Sequence, residues 1–439
     1  MRWNRPSVLL LCLVLALAGL LLGGCVSAPL PGATPAAPGR TPSSAIAYPA
    51  PGPPYAATAA DPFYQQPSPT RLTRLAPGAL IRYRPIAARA WRISHVQARA
   101  WQFVYRSTNT RGQPVADVAT LLVPPEPRSR LLSYQVAYDA LDARCAPSQE
   151  IVHGSLVEQW FVSKALRRGW PVLLPDYEGP NQAFLAGRQA GYAVLDGLRA
   201  ARRFAADDLI TPETPIALWG YSGGGYASLW AGELAANYAP ELPIVGIAAG
   251  GPPADLEGLA RHLDGGIFAG VYFEALLGLA RAYPQIDLDR LLNDRGQRMQ
   301  AKLAGSCLAQ ELAGVRDPLL SGYSFADMAD YVRVDDLLAE PAVATVARAN
   351  RLGGHGLPAP LFYYQARFDP LIPPNQARTL ARRYCAADVA VDFDWVFGEH
   401  IVAALANAEP AIDYLVARFA GRPADNDCPN IAQRSTATP

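Results

Sequence analysis

From Leu131 onward the chain alternates short, mostly apolar runs with longer segments whose apolar residues recur every three or four positions. The runs are Leu131–Ala137, Pro171–Leu174, Ile216–Trp219, Ile244–Ala249 and Pro360–Gln365; the helical pattern is clearest over Gly191–Ala206, Tyr226–Ala236 and Asn375–Tyr384. Strands that are apolar on both sides belong to a sheet covered on both faces. Strand and helix in alternation therefore predict an α/β fold with a mostly parallel central sheet and helices on both faces. Val389–Phe397 alternates instead, with Val389, Val391, Phe393, Trp395 and Phe397 on one side, the pattern of an edge strand. Upstream, Trp101–Ser107 and Val115–Val123 flank the turn Asn109-Thr110-Arg111-Gly112 and predict an antiparallel hairpin.

One interval is too long for a crossover. Residues 252–358 separate two strands by far more chain than a connection needs, so they predict an inserted, mainly helical cap. Within it Ile267–Ala282 carries Glu274 and Arg281 as its only charges, as expected of a helix buried in the cap or turned toward something greasy. The core is then split into 61–251 and 359–428, with a tail over 429–439.

The N-terminus follows a different pattern. Arg2 and Arg5 precede the uncharged run Val8–Leu22, too short to span a membrane comfortably, which predicts an export signal over 1–24. The run ends in Leu22-Gly23-Gly24-Cys25, which resembles the lipobox of bacterial lipoproteins. That resemblance implies lipidation of Cys25 and a membrane-anchored place in the cell envelope. Residues 25–60, rich in Pro and Ala, read as a tether, with order resuming at Asp61-Pro62-Phe63-Tyr64.

Composition narrows the chemistry. Half of the 439 residues are hydrophobic, enough for a large core, and 39 basic against 38 acidic side chains leave no field to hold nucleic acid. Setting aside Cys12 and Cys25, the exported chain keeps Cys145, Cys307, Cys385 and Cys428, which predict two disulfides with three pairings open. None forms a CxxC, so neither metal nor redox chemistry is indicated.

The reactive constellation begins at Gly220-Tyr221-Ser222-Gly223-Gly224, between the strand Ile216–Trp219 and a helix. A nucleophilic serine needs a sharp strand-to-helix turn that lifts its hydroxyl, and glycines that let the backbone make it; this is the nucleophile elbow of α/β-hydrolases. The Gly223 amide, next to the nucleophile, can donate to an oxyanion. In this fold the order along the chain is serine, acid, histidine. His400, just past the edge strand, follows every candidate acid, whereas His95, His153, His262 and His355 do not. Asp369, at the end of the strand Pro360–Gln365, is the candidate acid; Asp392, Asp394 and Glu399 read as solvated.

Together with Ser133-Tyr134-Gln135, Asp176-Tyr177-Glu178-Gly179-Pro180 and Gly250-Gly251-Pro252-Pro253, the elbow and Asp61-Pro62-Phe63-Tyr64 resemble hallmarks of the secretory lipase family, in order, from Asp61 to Cys428. The resemblance implies Ser222, Asp369 and His400 as a catalytic triad. It also implies an oxyanion contribution from Asp139 in Tyr138-Asp139-Ala140-Leu141, and a bridge Cys145–Cys307 that leaves Cys385 for Cys428. The expected activity is hydrolysis of lipid or other carboxylic esters through an acyl-enzyme, with no cofactor. A serine peptidase on the same fold, or a lipid-binding surface lipoprotein without turnover, are the other readings.

Overall fold

The computed structural model describes residues 45–49, 60–91, 94–204, 209–308 and 320–431. Cys25, the export signal and most of the tether lie outside these residues. Twelve strands occur among the described residues: β1 (Ile46–Ala47), β2 (Leu80–Ile86), β3 (Arg89–Ala90), β4 (Ser94–His95), β5 (Arg99–Thr108), β6 (Pro114–Val123), β7 (Leu131–Gln135), β8 (Val172–Pro175), β9 (Ile216–Tyr221), β10 (Ile244–Gly250), β11 (Leu361–Ala366) and β12 (Val391–Val396). Ten form one sheet in the order β1-β2-β5-β6-β8-β7-β9-β10-β11-β12, and β3 and β4 make a separate ribbon.

From β8 to β12 neighbouring strands are parallel, while β2, β5, β6 and β8 pair antiparallel. The expected hairpin is β5–β6, and β12 is indeed an edge strand. Helices cover both faces. Gly232 of the helix Gly223–Tyr238 lies against Ile247, whereas Arg418 of the helix Ala408–Phe419 lies over the adjacent Gly246. Successive residues of a strand point to opposite faces, so these two helices sandwich β10. This is the α/β-hydrolase fold.

Three boundaries differ from expectation. The segment expected to be all tether contributes β1, which pairs with β2 at Ile46↔Arg82 and Ala47↔Tyr83. The helix expected from Gly191 begins at Gly187 and runs to Phe204. The expected tail opens in a helical turn, Cys428–Ile431, with Ile431 buried.

Strand β2 was not anticipated, because Arg82 and Arg84 break its apolar pattern. Both are nonetheless buried, and both are satisfied by the Asp61-Pro62-Phe63-Tyr64 segment. Arg82 donates to the carbonyls of Pro62 (2.7 Å), Phe63 (3.0 Å) and Gln65 (2.7 Å). Arg84 pairs with Asp61 at 2.6 Å and lies 4.0 Å over the Phe63 ring. A buried guanidinium is tolerable only when its donors are used, and here the motif supplies the acceptors.

Between β10 and β11 the described chain is mainly helical: Leu256–Leu263, Ala269–Ala282, Leu288–Leu291, Asp294–Leu303 and Pro341–Ala349. Helix Ala269–Ala282 is buried along most of its length, Glu274 included, and that carboxyl accepts from the Ser306 hydroxyl. Helices Leu256–Leu263 and Ala269–Ala282 border a small apolar cavity of about 40 Å³ lined by Leu256, Leu259, Leu263, Tyr272 and Leu276. The bridges are Cys145–Cys307 and Cys385–Cys428, with Cα separations of 5.7 and 5.4 Å.

Candidate active site

Ser222 stands between β9 and the helix Gly223–Tyr238 with φ 53° and ψ −123°. A non-glycine residue at positive φ is strained by roughly 1–3 kcal/mol and persists only where its surroundings hold it. The Ser222 amide donates to the Gly250 carbonyl at 2.8 Å, and its own carbonyl accepts from Tyr226 at 2.9 Å. The turn is also too tight for side chains. A Cβ on Gly220 would meet the Gly224 carbonyl at 2.3 Å, and one on Gly224 would meet the Gln135 carbonyl oxygen at 1.9 Å.

Asp369 and His400 reach the serine from the ends of β11 and β12. His400 Nε2 lies 3.0 Å from Ser222 Oγ, and His400 Nδ1 lies 2.7 Å from Asp369 Oδ2. His400 is 3% exposed and Asp369 4%. Every oxygen of the acid is engaged: Oδ1 accepts from the amides of Leu371 (3.0 Å) and Ile372 (2.8 Å), and Oδ2 also accepts from Gln365 at 2.8 Å. These three donors and the His400 ring fix the carboxyl group in position. The imidazole is held from behind by Tyr221, whose hydroxyl donates to the His400 carbonyl at 2.6 Å and whose ring centroid is 4.9 Å away.

Asp139 lies on the other side of the serine. Its backbone is left-handed, with φ 38°, and its carboxyl occupies the space over Gly223, where a Cβ would come within 1.9 Å of Oδ1. Burial pushes this carboxyl up to about 7, with the nearby His400 pulling the other way. The loop carrying it is tied to the far end of the cap: the Leu308 amide donates to the Asp139 carbonyl (3.0 Å), the Leu141 amide donates to the Ser306 carbonyl (3.2 Å), and Cys145–Cys307 crosses the same junction.

Of three acids read as solvated, two are engaged and the third is half-buried. Glu399 caps the helix His400–Ala406, accepting from the amides of Ile401 (3.0 Å) and Val402 (2.8 Å), so it orients the turn that carries His400. Asp394 accepts from Asn407 at 3.0 Å. Asp392 is half-buried, and burial with the neighbouring Asp427, Asp425 and Asp394 raises its carboxyl to about 6. The other histidines serve elsewhere; His262 Nε2 lies 3.1 Å from the Pro370 carbonyl oxygen. Gln365 and Tyr221 were missed. The signal for Gln365 was a lone amide closing an otherwise apolar strand.

Comparison with known proteins agrees with this architecture. Residues 150–427 match the family model of the secretory lipases. The chain is 35% identical over 377 residues to a Mycobacterium tuberculosis protein named a probable inactive lipase, covering 83% of this chain and 82% of that protein. It is 33% identical over 384 residues to a lipase A of Moesziomyces aphidis, covering 82% and 80%. The closed-state crystal structure of Candida antarctica lipase A superposes with a TM-score of 0.77 at 30% identity, over 84% of this chain and 88% of that one. By fold, by the extent of the matched sequence and by its relatives, the chain belongs to the secretory lipase family of ester hydrolases.

Proposed function

We propose that the chain is a lipid-anchored serine hydrolase that cleaves triacylglycerols or medium- to long-chain esters through an acyl-enzyme. The observation that carries this reading is the continuous chain from Ser222 Oγ through the His400 ring to Asp369, at 3.0 and 2.7 Å. His400 takes the Ser222 proton as Oγ bonds to the ester carbonyl carbon, and Asp369 stabilises the resulting imidazolium. The negative charge on the former carbonyl oxygen is met by the Gly223 amide and by Asp139. His400 then protonates the departing alcohol as the C–O bond breaks. Water, deprotonated by the same histidine, releases the acid and restores Ser222.

Asp139 suits this role as a neutral acid. A carboxyl raised to about 7 stays protonated in mildly acidic solution and can donate to an oxyanion, where a carboxylate would repel it. The largely apolar helix Ala269–Ala282 of the cap, spanning 252–358, and the lipases among the relatives support acyl chains over compact polar substrates. Cys25 carries the lipid after removal of residues 1–24, and the Pro- and Ala-rich segment 25–60 joins it to the catalytic unit. Ser222→Ala is expected to lose p-nitrophenyl ester hydrolysis by a factor of about 10⁴ or more and to lose fluorophosphonate labelling. Parent-like turnover in that variant would end the reading, and the relative named inactive makes turnover the first quantity to measure.

A further inference from the structure

The segment Asp176-Tyr177-Glu178-Gly179-Pro180 contributes nothing to the serine, histidine or acid, yet it lies directly behind the loop that carries Asp139. Both carboxyl oxygens of Glu178 accept from the Ala140 amide, at 3.2 and 3.3 Å. In return the Glu178 amide donates to the Tyr138 hydroxyl at 2.7 Å. Glu178 thus grips the loop on both sides of Asp139, from Tyr138 and from Ala140. The side chain is 2% exposed, so these bonds do not compete with water.

The rest of the segment holds Glu178 in place. Asp176 accepts from the Ser148 amide (2.9 Å) and hydroxyl (2.5 Å), fixing the preceding residues to the helix Pro147–His153. Gly179 has φ +70°, and a Cβ there would strike the Gln189 amide nitrogen at 2.5 Å. That same amide donates to the Glu178 carbonyl at 2.6 Å. On the far side of the loop, Glu158 accepts from the Ala137 amide (3.1 Å) and the Tyr134 hydroxyl (3.0 Å). The left-handed backbone at Asp139 is a conformation that local preference does not supply, so it must be imposed by such partners.

We propose that Glu178 is a positioning residue for the oxyanion site: its buried carboxyl holds the Ala140 amide and so keeps Asp139 in its left-handed turn over Gly223. It touches no reacting atom. The inference rests on the triad reading above and deepens it by giving the loop behind Asp139 a role in transition-state binding. A donor set built into a rigid loop stabilises charge that develops during reaction without reorganising, whereas a slack loop loses that benefit while ground-state binding persists.

The test uses the full chain and compares Glu178→Ala, Glu178→Gln and Glu178→Asp with the parent. Measured are kcat, KM, melting temperature and affinity for an arylboronic acid, whose tetrahedral serine adduct places an oxygen where the oxyanion would be. Glu178→Ala is expected to lower kcat by about 10–100-fold with KM within about threefold, and to weaken boronate affinity by a similar factor. Glu178→Gln keeps an acceptor for Ala140 and should return kcat to within about threefold of the parent. A folded Glu178→Ala variant with parent-like kcat and boronate affinity, or a Gln variant as impaired as the Ala variant, overturns the proposal. Should the Ala variant not fold, Glu178→Asp decides, since it keeps a carboxyl but draws it back from the Ala140 amide. Parallel loss of kcat and boronate affinity at constant KM upholds the role, and no loss overturns it. A parent whose turnover depends on Ser222 but not on Glu178 separates failure here from failure of the triad reading; a parent without turnover takes down both.

Discussion

Asp139 is the residue where burial and chemistry meet. Its carboxyl is raised to about 7 chiefly by burial, which places its ionisation inside the working range of an esterase. Below that value it is neutral and able to donate; above it, a negative charge faces the forming oxyanion. The expected pH profile of kcat/KM therefore falls on the alkaline side from about 7, and Asp139→Asn, which has no proton to lose, should remove that fall while keeping the acidic limb. An unchanged alkaline limb in the Asn variant would leave the Asp139 backbone amide as the contributor. Ser222, Asp369 and His400 were legible in the sequence because the chemistry proposed for them restricts both their types and their order along the chain. Gln365, Tyr221 and Glu178 were not, because they act by contacts between strands and loops far apart in sequence, which periodicity does not encode.

At the level of elements, the elbow depends on how closely one helix can approach one strand. Helix Gly223–Tyr238 starts so near the end of β7 that Gly224 faces the Gln135 carbonyl oxygen, a backbone atom that cannot swing away. Gly224→Ala is accordingly expected to destabilise by more than about 4 kcal/mol, visible as lost soluble yield or a steep drop in melting temperature. Gly232→Ala in the same helix meets only the side-chain tips of Ile247 and Leu357, at 2.8 Å, and should cost much less. Equal losses from both would show that helix propensity, not the close approach, governs the site. The parallel strands were readable because each is apolar on both faces. Strand β2 was hidden by Arg82 and Arg84, whose burial becomes intelligible only once the acceptors from Asp61 to Gln65 are folded against them.

Across the whole molecule, several carboxyls are buried with raised values: Asp117 and Glu158 at about 8, Asp176 and Asp139 at about 7, each mainly through burial. In the unfolded chain these groups ionise near 4, so between roughly pH 4 and 8 the folded state retains protons that the unfolded state releases. Their contribution to stability is fully present below about 4 and is lost as pH rises through 7 to 8. Melting temperature should therefore decline from pH 5 to 8.5, and Asp117→Asn, remote from the serine, should make the decline shallower. A melting curve independent of pH in the parent would contradict these buried protonated acids. The length of the interval between β10 and β11 made the cap legible, and the family resemblance supplied its bridge to the loop after Asp139; the hydrogen bonds of Leu308 and Leu141 at that junction were not legible, because they join residues from either side of the elbow.

That junction also bears on how the chain is made. Cys145 and Cys307 are 162 residues apart, and the interval between them contains β8, the elbow and the first helices of the cap. The bond can close in its native place only after the cap has returned to the loop beside Asp139, so correct pairing is a late event that reports completed assembly. The two bridges join neighbours in the order of these cysteines along the chain, Cys145 with Cys307 and Cys385 with Cys428. Oxidation in order of synthesis therefore favours the native pairs, and the longer bridge asks only that its closure wait for the cap, a delay that the bridge between Cys385 and Cys428, only 43 residues apart, does not impose.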